Sequence, residues 1–450
     1  MPLEKNEIVA LNFSDFTGGI NLSSAPQKLQ DNEYQSLKNF EYDFNRLTTR
    51  GGLSAPLATF PSNIKKAFYD ESTHIMQVFL ENGDIYEEDL STLHNKVGTL
   101  TGDDIPNCCT YGGRVFIASG GKLQYYDYGE HNVTTIEASF LCHDVFERFS
   151  RIVTTNRGDS EMRYSAVANP YETGWEEETN DDSTYKHTPV GENDGGFIIA
   201  TYPHSGDLVV LKSNGKVYAV SGEYPAWIIT EVGKYSDVIG PESIRPLGPS
   251  IAWLTKMGLK SIDNVNTYGN FVVGALARRL NKLISMKVSG TPKVFHIPRK
   301  RQFIMQLSSD KPNNLLCYQY DLDAGTELEF AVPITDMVDT HNGVIVASGN
   351  ALYRWAAEYD TDNGKPIEQE IITKEYASSR RLFTRSVDIG VNGTLGGKVT
   401  VSWAGKTLDY TIKNARRVLN VFSVCRDGVF KITTTSKIIL DYLKVYLFEK

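Results

Sequence analysis

The chain has 450 residues, 41% of them hydrophobic and 11% aromatic, with 37 glycines, 24 tyrosines and 20 phenylalanines. That composition excludes global disorder and favours strands joined by tight turns over a helical bundle. A formal net charge of −9 excludes a nucleic-acid binder working by basic excess, though not a surface past which DNA slides without sticking.

The length points to two or three domains. The start MPLEKNEIVALNF lacks the basic and apolar regions of a signal peptide, and no apolar run approaches the roughly 20 residues that span a bilayer. A soluble protein made in a cytosol is the expectation. Cys108, Cys109, Cys142, Cys317 and Cys425 are scattered without a CxxC pair, which reads as thiols in a reducing compartment.

Residues 1–60 read as an N-terminal docking segment outside any repeat: a strand, an extended link and one short helix. Asp31 stands as its N-cap, with Tyr34, Leu37 and Phe40 along one side. From 61 to 365, seven segments share an apolar strand, a polar turn and a second strand with a large residue. Their anchors are Gly83, Gly121, Gly158, Gly215, Gly258, Asn313 and Gly349. The mean spacing of about 44 residues falls in the range of propeller blades, which bury both faces by stacking around an axis. The expected fold is all-β: a β-propeller of six or seven blades.

Two long gaps predict inter-blade insertions near 172–196 and 278–301, both projecting from one face. The first is acidic, with Glu172, Glu176, Glu177, Glu178, Asp181 and Asp182. The second holds Arg278, Arg279, Lys282, Arg299, Lys300 and Arg301, and its start has apolar residues at helical spacing. Solvated faces account for both; the sharper readings are a lumen or gate for the acidic set and a partner- or phosphate-facing surface for the basic one. Residues 366–450 alternate as a C-terminal antiparallel β-sandwich.

No HExxH, GxSxG, Walker or dinucleotide motif occurs, and the eight histidines are dispersed in sequence. Asp360-Thr361-Asp362-Asn363-Gly364 opens like an EF-hand loop, but Ile371 stands where a bidentate glutamate belongs. The expectation is a protein without catalysis, cofactor or metal. Among 55 acidic residues no fixed spacing tests a carboxylate pair, so a carbohydrate-binding or carbohydrate-cleaving propeller stays open. So does a monomeric scaffold propeller.

The stretch 16–52 resembles the N-terminal signature of the tail nozzle proteins of short-tailed bacteriophages, also called tail tubular protein B or packaged-DNA stabilisation proteins. The matching residues are Gly18, Gly19, Ile20, Asn21, Pro26, Leu29, Asp31, Glu33, Leu37, Asn39, Leu47, Arg50, Gly51 and Gly52. RFSRIVTTNRGDSEMRYSAVANPYETGW, 148–175, is similar to a second stretch of that family. The resemblance implies a structural role in the virion tail: a homohexameric channel that retains packaged DNA and conducts it during ejection. Its implied partners are a tail adaptor ring, a tailspike, fibre or needle, and double-stranded DNA. Gly18, Gly19, Asn21, Pro26, Asn39, Arg50 and Gly51 would form the docking motif. Family members are often much longer, with extra insertions of which this chain has few, so a reduced tail design or a related propeller of a long-tailed phage or prophage element stays open.

Overall fold

A computed structural model describes residues 8–449, except 177, 179–180, 205, 235–238, 248–249, 266–269, 404 and 414–415. Seven antiparallel blades follow one another around an axis, spanning 64–99, 107–135, 144–189, 198–234, 244–276, 293–329 and 336–356. In the first six, the chain runs strand by strand from the axis outward. Each of the seven anchor residues falls at the junction of its blade's second and third strands. Gly83 (φ 88°) joins Met76–Leu80 to Asp84–Glu88, and Gly215 (φ 80°) joins Asp207–Lys212 to Lys216–Ser221. Glycine adopts such angles without steric cost.

The cores sit in the seams between blades. Phe79, Val115, Ile117 and Tyr126 fill the seam of blades one and two. Ile64, Val78, Ile345 and Leu352 fill that of blades seven and one. Second strands such as Met76–Leu80 and Arg151–Thr155 are therefore buried at every position, while the outer strand His94–Thr99 is mostly exposed. Polar groups then fix the register between blades. Asn107, Asp144 and Asp336, each opening an innermost strand, accept the backbone N–H of Val145, Thr201 and Ala67 in the next blade at 3.1, 3.0 and 2.9 Å. The last of these bonds closes the circle from blade seven to blade one.

Blade seven makes three strands of its own, Asp336–Thr340, Gly343–Ser348 and Ala351–Ala356. Its outer position is filled from the start of the chain: Gly52–Leu53 and Ala58–Thr59 pair with Ala351–Ala356. The C-terminal strands Gln369–Gly393, Lys398–Trp403, Lys406–Thr411, Arg416–Thr434 and Ile438–Glu449 form an antiparallel module. Ile8–Phe13 and Arg46–Thr49 pair with its last strand, and Glu33–Lys38 with its first. Through Lys38 and Glu327 the same sheet continues into blade six. One apolar core, with Leu283, Phe303, Val387 and Trp403, runs from blades five and six into this module.

Three expectations need correction. The helix expected after Asp31 is the strand Glu33–Lys38. Tyr34 and Leu37 are both fully buried, and pairing with Gln369–Gly393 overrides the helical spacing. Asp31 instead accepts a hydrogen bond from Tyr376 Oη at 3.2 Å and pairs with Lys374. Residues 1–60 do not lie outside the blades, since Gly52–Leu53 and Ala58–Thr59 complete the seventh. Finally, 172–196 is not an inter-blade insertion. Most of it joins the third and fourth strands of blade three, Glu161–Tyr164 and Lys186–Pro189. The 278–301 segment does link blades five and six, but Lys293–Ile297 within it is already the first strand of blade six. In an up-and-down blade these two connections leave from opposite ends, so the segments occupy opposite faces.

Candidate functional site

The candidate docking motif folds into a buried clasp. The Arg50 guanidinium has five N–H donors, and all five are used. Nε donates to Asn39 Oδ1 at 2.9 Å; Nη1 donates to Asp362 Oδ1 at 2.9 Å and the Gly51 carbonyl at 2.8 Å. Nη2 donates to Asp362 Oδ2 and the Glu329 carbonyl, both at 2.6 Å. The guanidinium carbon lies 4.2 Å from the centre of the Phe330 ring. Asn39 extends the network by donating to the Glu368 carbonyl at 2.7 Å and accepting from Glu329 N at 2.7 Å. Trp355 Nε1 donates to the Gly51 carbonyl at 2.9 Å. A Cβ at Gly51 would stand 2.3 Å from the Ala356 carbonyl oxygen, so this approach admits only glycine. The clasp ties together the strap of residues 39–53, the ends of blades six and seven, and the linker to the C-terminal module. Asp362, in the EF-hand-like stretch, has its carboxylate committed to Arg50.

The rest of the motif serves close approach. Gly19 (φ 64°) passes blade six so tightly that a Cβ would meet Gly325 N at 2.6 Å, and one at Gly18 would meet the Asn32 carbonyl oxygen at 2.3 Å. Asn21 Oδ1 accepts from Ser23 N at 3.0 Å, and Pro26 opens the short 3-10 turn Pro26–Lys28.

The basic set is divided. Arg279 pairs with Glu33 at 3.1 Å, Lys300 with Glu41 at 2.8 Å, Arg301 with Asp321 at 2.9 Å, and Arg299 with Asp339. These four are paired within the chain, Arg279 and Lys300 half-buried and Arg299 and Arg301 at the surface. Arg278 and Lys282, beside and on the helix Asn281–Lys287, are exposed with no acidic partner among the described residues. Glu172, Glu176, Glu178, Asp181 and Asp182 are exposed on the outer connection of blade three, away from the axis; Glu177 lies outside the described residues. The connection is anchored: Trp175 is buried and donates to the Pro170 carbonyl at 3.0 Å. Arg151 Nη2 holds the Asp182 carbonyl at 2.5 Å.

Innermost strands bring together a group that no sequence spacing announces. Arg245 pairs with Glu242 at 2.7 Å and donates to Tyr202 Oη at 2.9 Å, in the field of Lys66, Lys293 and Asp336. Burial would raise the Glu242 carboxyl, but Lys66, Arg245 and Lys293 bring it down to about 2. For Asp336 burial wins and the carboxyl is raised. Glu242 and Arg245 belong to blade five, from the turn Pro241–Ser243 and the strand after it, while Lys66, Tyr202, Lys293 and Asp336 come from four other blades, so only closure of the circle assembles the group. All the histidines but His143 lie on one face, the one carrying the first-to-second and third-to-fourth strand connections, spread over six blades. Tyr69 Oη meets His74 Nδ1 at 2.8 Å and His341 Nδ1 at 2.5 Å, bridging blades one and seven. Among the described residues, no group of three or more His, Cys, Asp or Glu side chains is arranged to hold a metal ion, and no helix is long and apolar enough to cross a membrane.

No protein-family model matches the chain, and no curated protein does. Among solved structures, it is similar to the β-propeller domain of Cps50 (Swd1) from Myceliophteria thermophila, at 9% identity and a TM-score of 0.47. That match covers 67% of this chain and 99% of the domain. The extracellular domain of the hybrid two-component system BT4673 from B. thetaiotaomicron matches at 11% identity and 0.49, over 84% of this chain and 57% of the other. PorZ of Porphyromonas gingivalis matches at 12% and 0.44, and the chain spans 42% of its length. The seven-bladed assignment itself stands on the strand pairing.

Proposed function

We propose that this chain is a structural β-propeller of a bacteriophage tail, the repeating subunit of the distal nozzle, assembled in the cytoplasm of a bacterial host. The observation that carries the reading is the clasp. The residues of the nozzle-like signature, Gly18, Gly19, Asn39, Arg50 and Gly51, are committed to joining strap, propeller and C-terminal module into one body. A wall that holds pressurised DNA needs such joints, because a propeller opens most easily at the seam where its two chain ends meet.

In this reading the DNA path runs between subunits of a closed ring, since each propeller axis is occupied by Lys66, Glu242, Arg245, Lys293 and Asp336. A net negative subunit lets duplex DNA pass without sequence-specific contact. The tail adaptor ring and a spike, fibre or needle are the expected neighbours. Electron microscopy of the purified chain, alone and mixed with an adaptor ring, tests this. A six-fold ring seated on the adaptor is expected; a monomer that ignores the adaptor overturns the reading.

A second reading, carbohydrate binding, rests on one cavity of about 390 Å3 on the C-terminal sheet. Lys38, Glu370, Thr433 and Thr400 stand directly opposite one another on successive strands along it. Failure of the chain to bind a panel of bacterial surface glycans removes this reading.

A further inference from the structure

The two charged segments occupy opposite faces of the propeller, so one copy cannot bring them together. Each also carries exposed apolar side chains. Arg278, Lys282 and Met286 are spaced by four residues along Asn281–Lys287 and the turn before it, and all three face solvent. Met286 is 69% exposed and Met257, in the neighbouring turn, 67%. Beside them runs a groove of about 290 Å3 lined by Met286, Leu307, Leu315 and Leu316. The cations on the other side of this segment are already engaged, Arg279 by Glu33 and Lys287 by Glu327. Among the described residues, nothing pairs with the side chains of Arg278 or Lys282. Unbranched, polarisable methionines at a surface suit a partner that packs without rigid complementarity.

The blade-three connection has the opposite character. Glu172, Glu176 and Glu178 are exposed, and Val167 (43% exposed) and Phe149 (45%) stand at its base. Backbone bonds from Val167 N to the Ser183 carbonyl (2.8 Å) and from Ala168 N to the Ser150 carbonyl (2.7 Å) fasten that base to the blade. It thus presents apolar groups rimmed by carboxylates, where the helix presents apolar groups rimmed by cations.

We infer that the Arg278–Lys282–Met286 face is the docking surface for the blade-three connection of a second copy of this chain. The contact is head-to-tail: each copy offers the helix on one face and the acidic connection on the other, so repetition builds a ring if the rotation closes and a filament if it does not. The inference deepens the proposed nozzle reading by naming the contact between its subunits, yet it concerns self-association alone.

The test uses the full chain, with assembly followed by mass photometry and sedimentation over a range of concentration and salt. Wild type is expected to associate, more weakly as salt rises. The double variant R278E/K282E should need about tenfold more protein to assemble, and E172K/E176K likewise, consistent with rim charges of modest individual weight. Combining all four changes should restore assembly, because the charges are exchanged and not removed. All these positions are exposed, so an unchanged circular dichroism spectrum and melting temperature report that the variants fold. A wild type that stays monomeric, association indifferent to R278E/K282E, or a fourfold variant as weak as either double overturns the inference. Binding to the adaptor ring is scored separately. Adaptor binding by an R278E/K282E variant that self-associates normally overturns this contact and leaves the nozzle reading standing; charge-swap rescue without adaptor binding does the reverse.

Discussion

Blades three and seven solve the same problem in opposite ways. Blade three completes its own four strands, and the connection between the last two is long, anchored by Trp175 and covered in carboxylates. Blade seven makes only three strands and takes its fourth from Gly52–Leu53 and Ala58–Thr59, some 300 residues earlier in the chain. The self-sufficient blade is free to present surface. The dependent blade needs a fastening, and the Arg50 clasp supplies it with every donor matched inside the protein.

Arg50 is where this contrast is most easily broken. Arg50→Ala leaves Asp362 buried without its partner, and such losses cost about 3–5 kcal/mol; urea unfolding should show it as a lower midpoint. Arg50→Lys should recover little, since an ammonium cannot reproduce the two-pronged contact with Asp362 or reach Asn39 at the same time. Next comes Gly51→Ala. Its methyl would collide with the Ala356 carbonyl, for which about 1–3 kcal/mol is expected from overpacking, seen as a lower melting temperature.

The axial cluster sharpens the comparison through pH. The folded-state Glu242 carboxyl sits near 2 against 4.5 when unperturbed, so the unfolded chain binds more protons between those values. Stability from this group is fully present above 4.5 and is lost as pH falls toward 2. In Glu242→Gln the acid limb of a stability-versus-pH curve should be shallower; an unchanged limb contradicts the electrostatic account. The smallest effect belongs to blade three: Glu176→Gln with Glu178→Gln should shift stability by less than about 0.5 kcal/mol, as exposed sites do. In the nozzle reading the same pair alters DNA retention or ejection, measured on assembled particles.

What the sequence disclosed follows the same division. Turns are local, so Gly83, Gly215 and the other anchors marked every second-to-third strand junction of the seven blades. Strand pairing is not local. Tyr34, Leu37 and Phe40 have helical spacing, and only Gln369–Gly393 alongside makes Glu33–Lys38 a strand. The fourth strand of blade seven was illegible for the same reason, as was the axial cluster, assembled from five different blades. Of the candidate sites, the docking motif was legible as a set through its resemblance. Its partner Asp362 was not, because an acidic turn residue gives no sign of a buried arginine more than 300 positions earlier.

Hydrogen exchange at the seventh blade tests most directly whether the strap is part of the propeller. The account predicts that the amides of Gly52–Leu53 and Ala351–Ala356 are protected to the same degree as the second strand of blade one, and that Arg50→Ala lowers protection in both together. Fast exchange across the strap while Ala351–Ala356 stays protected would contradict it.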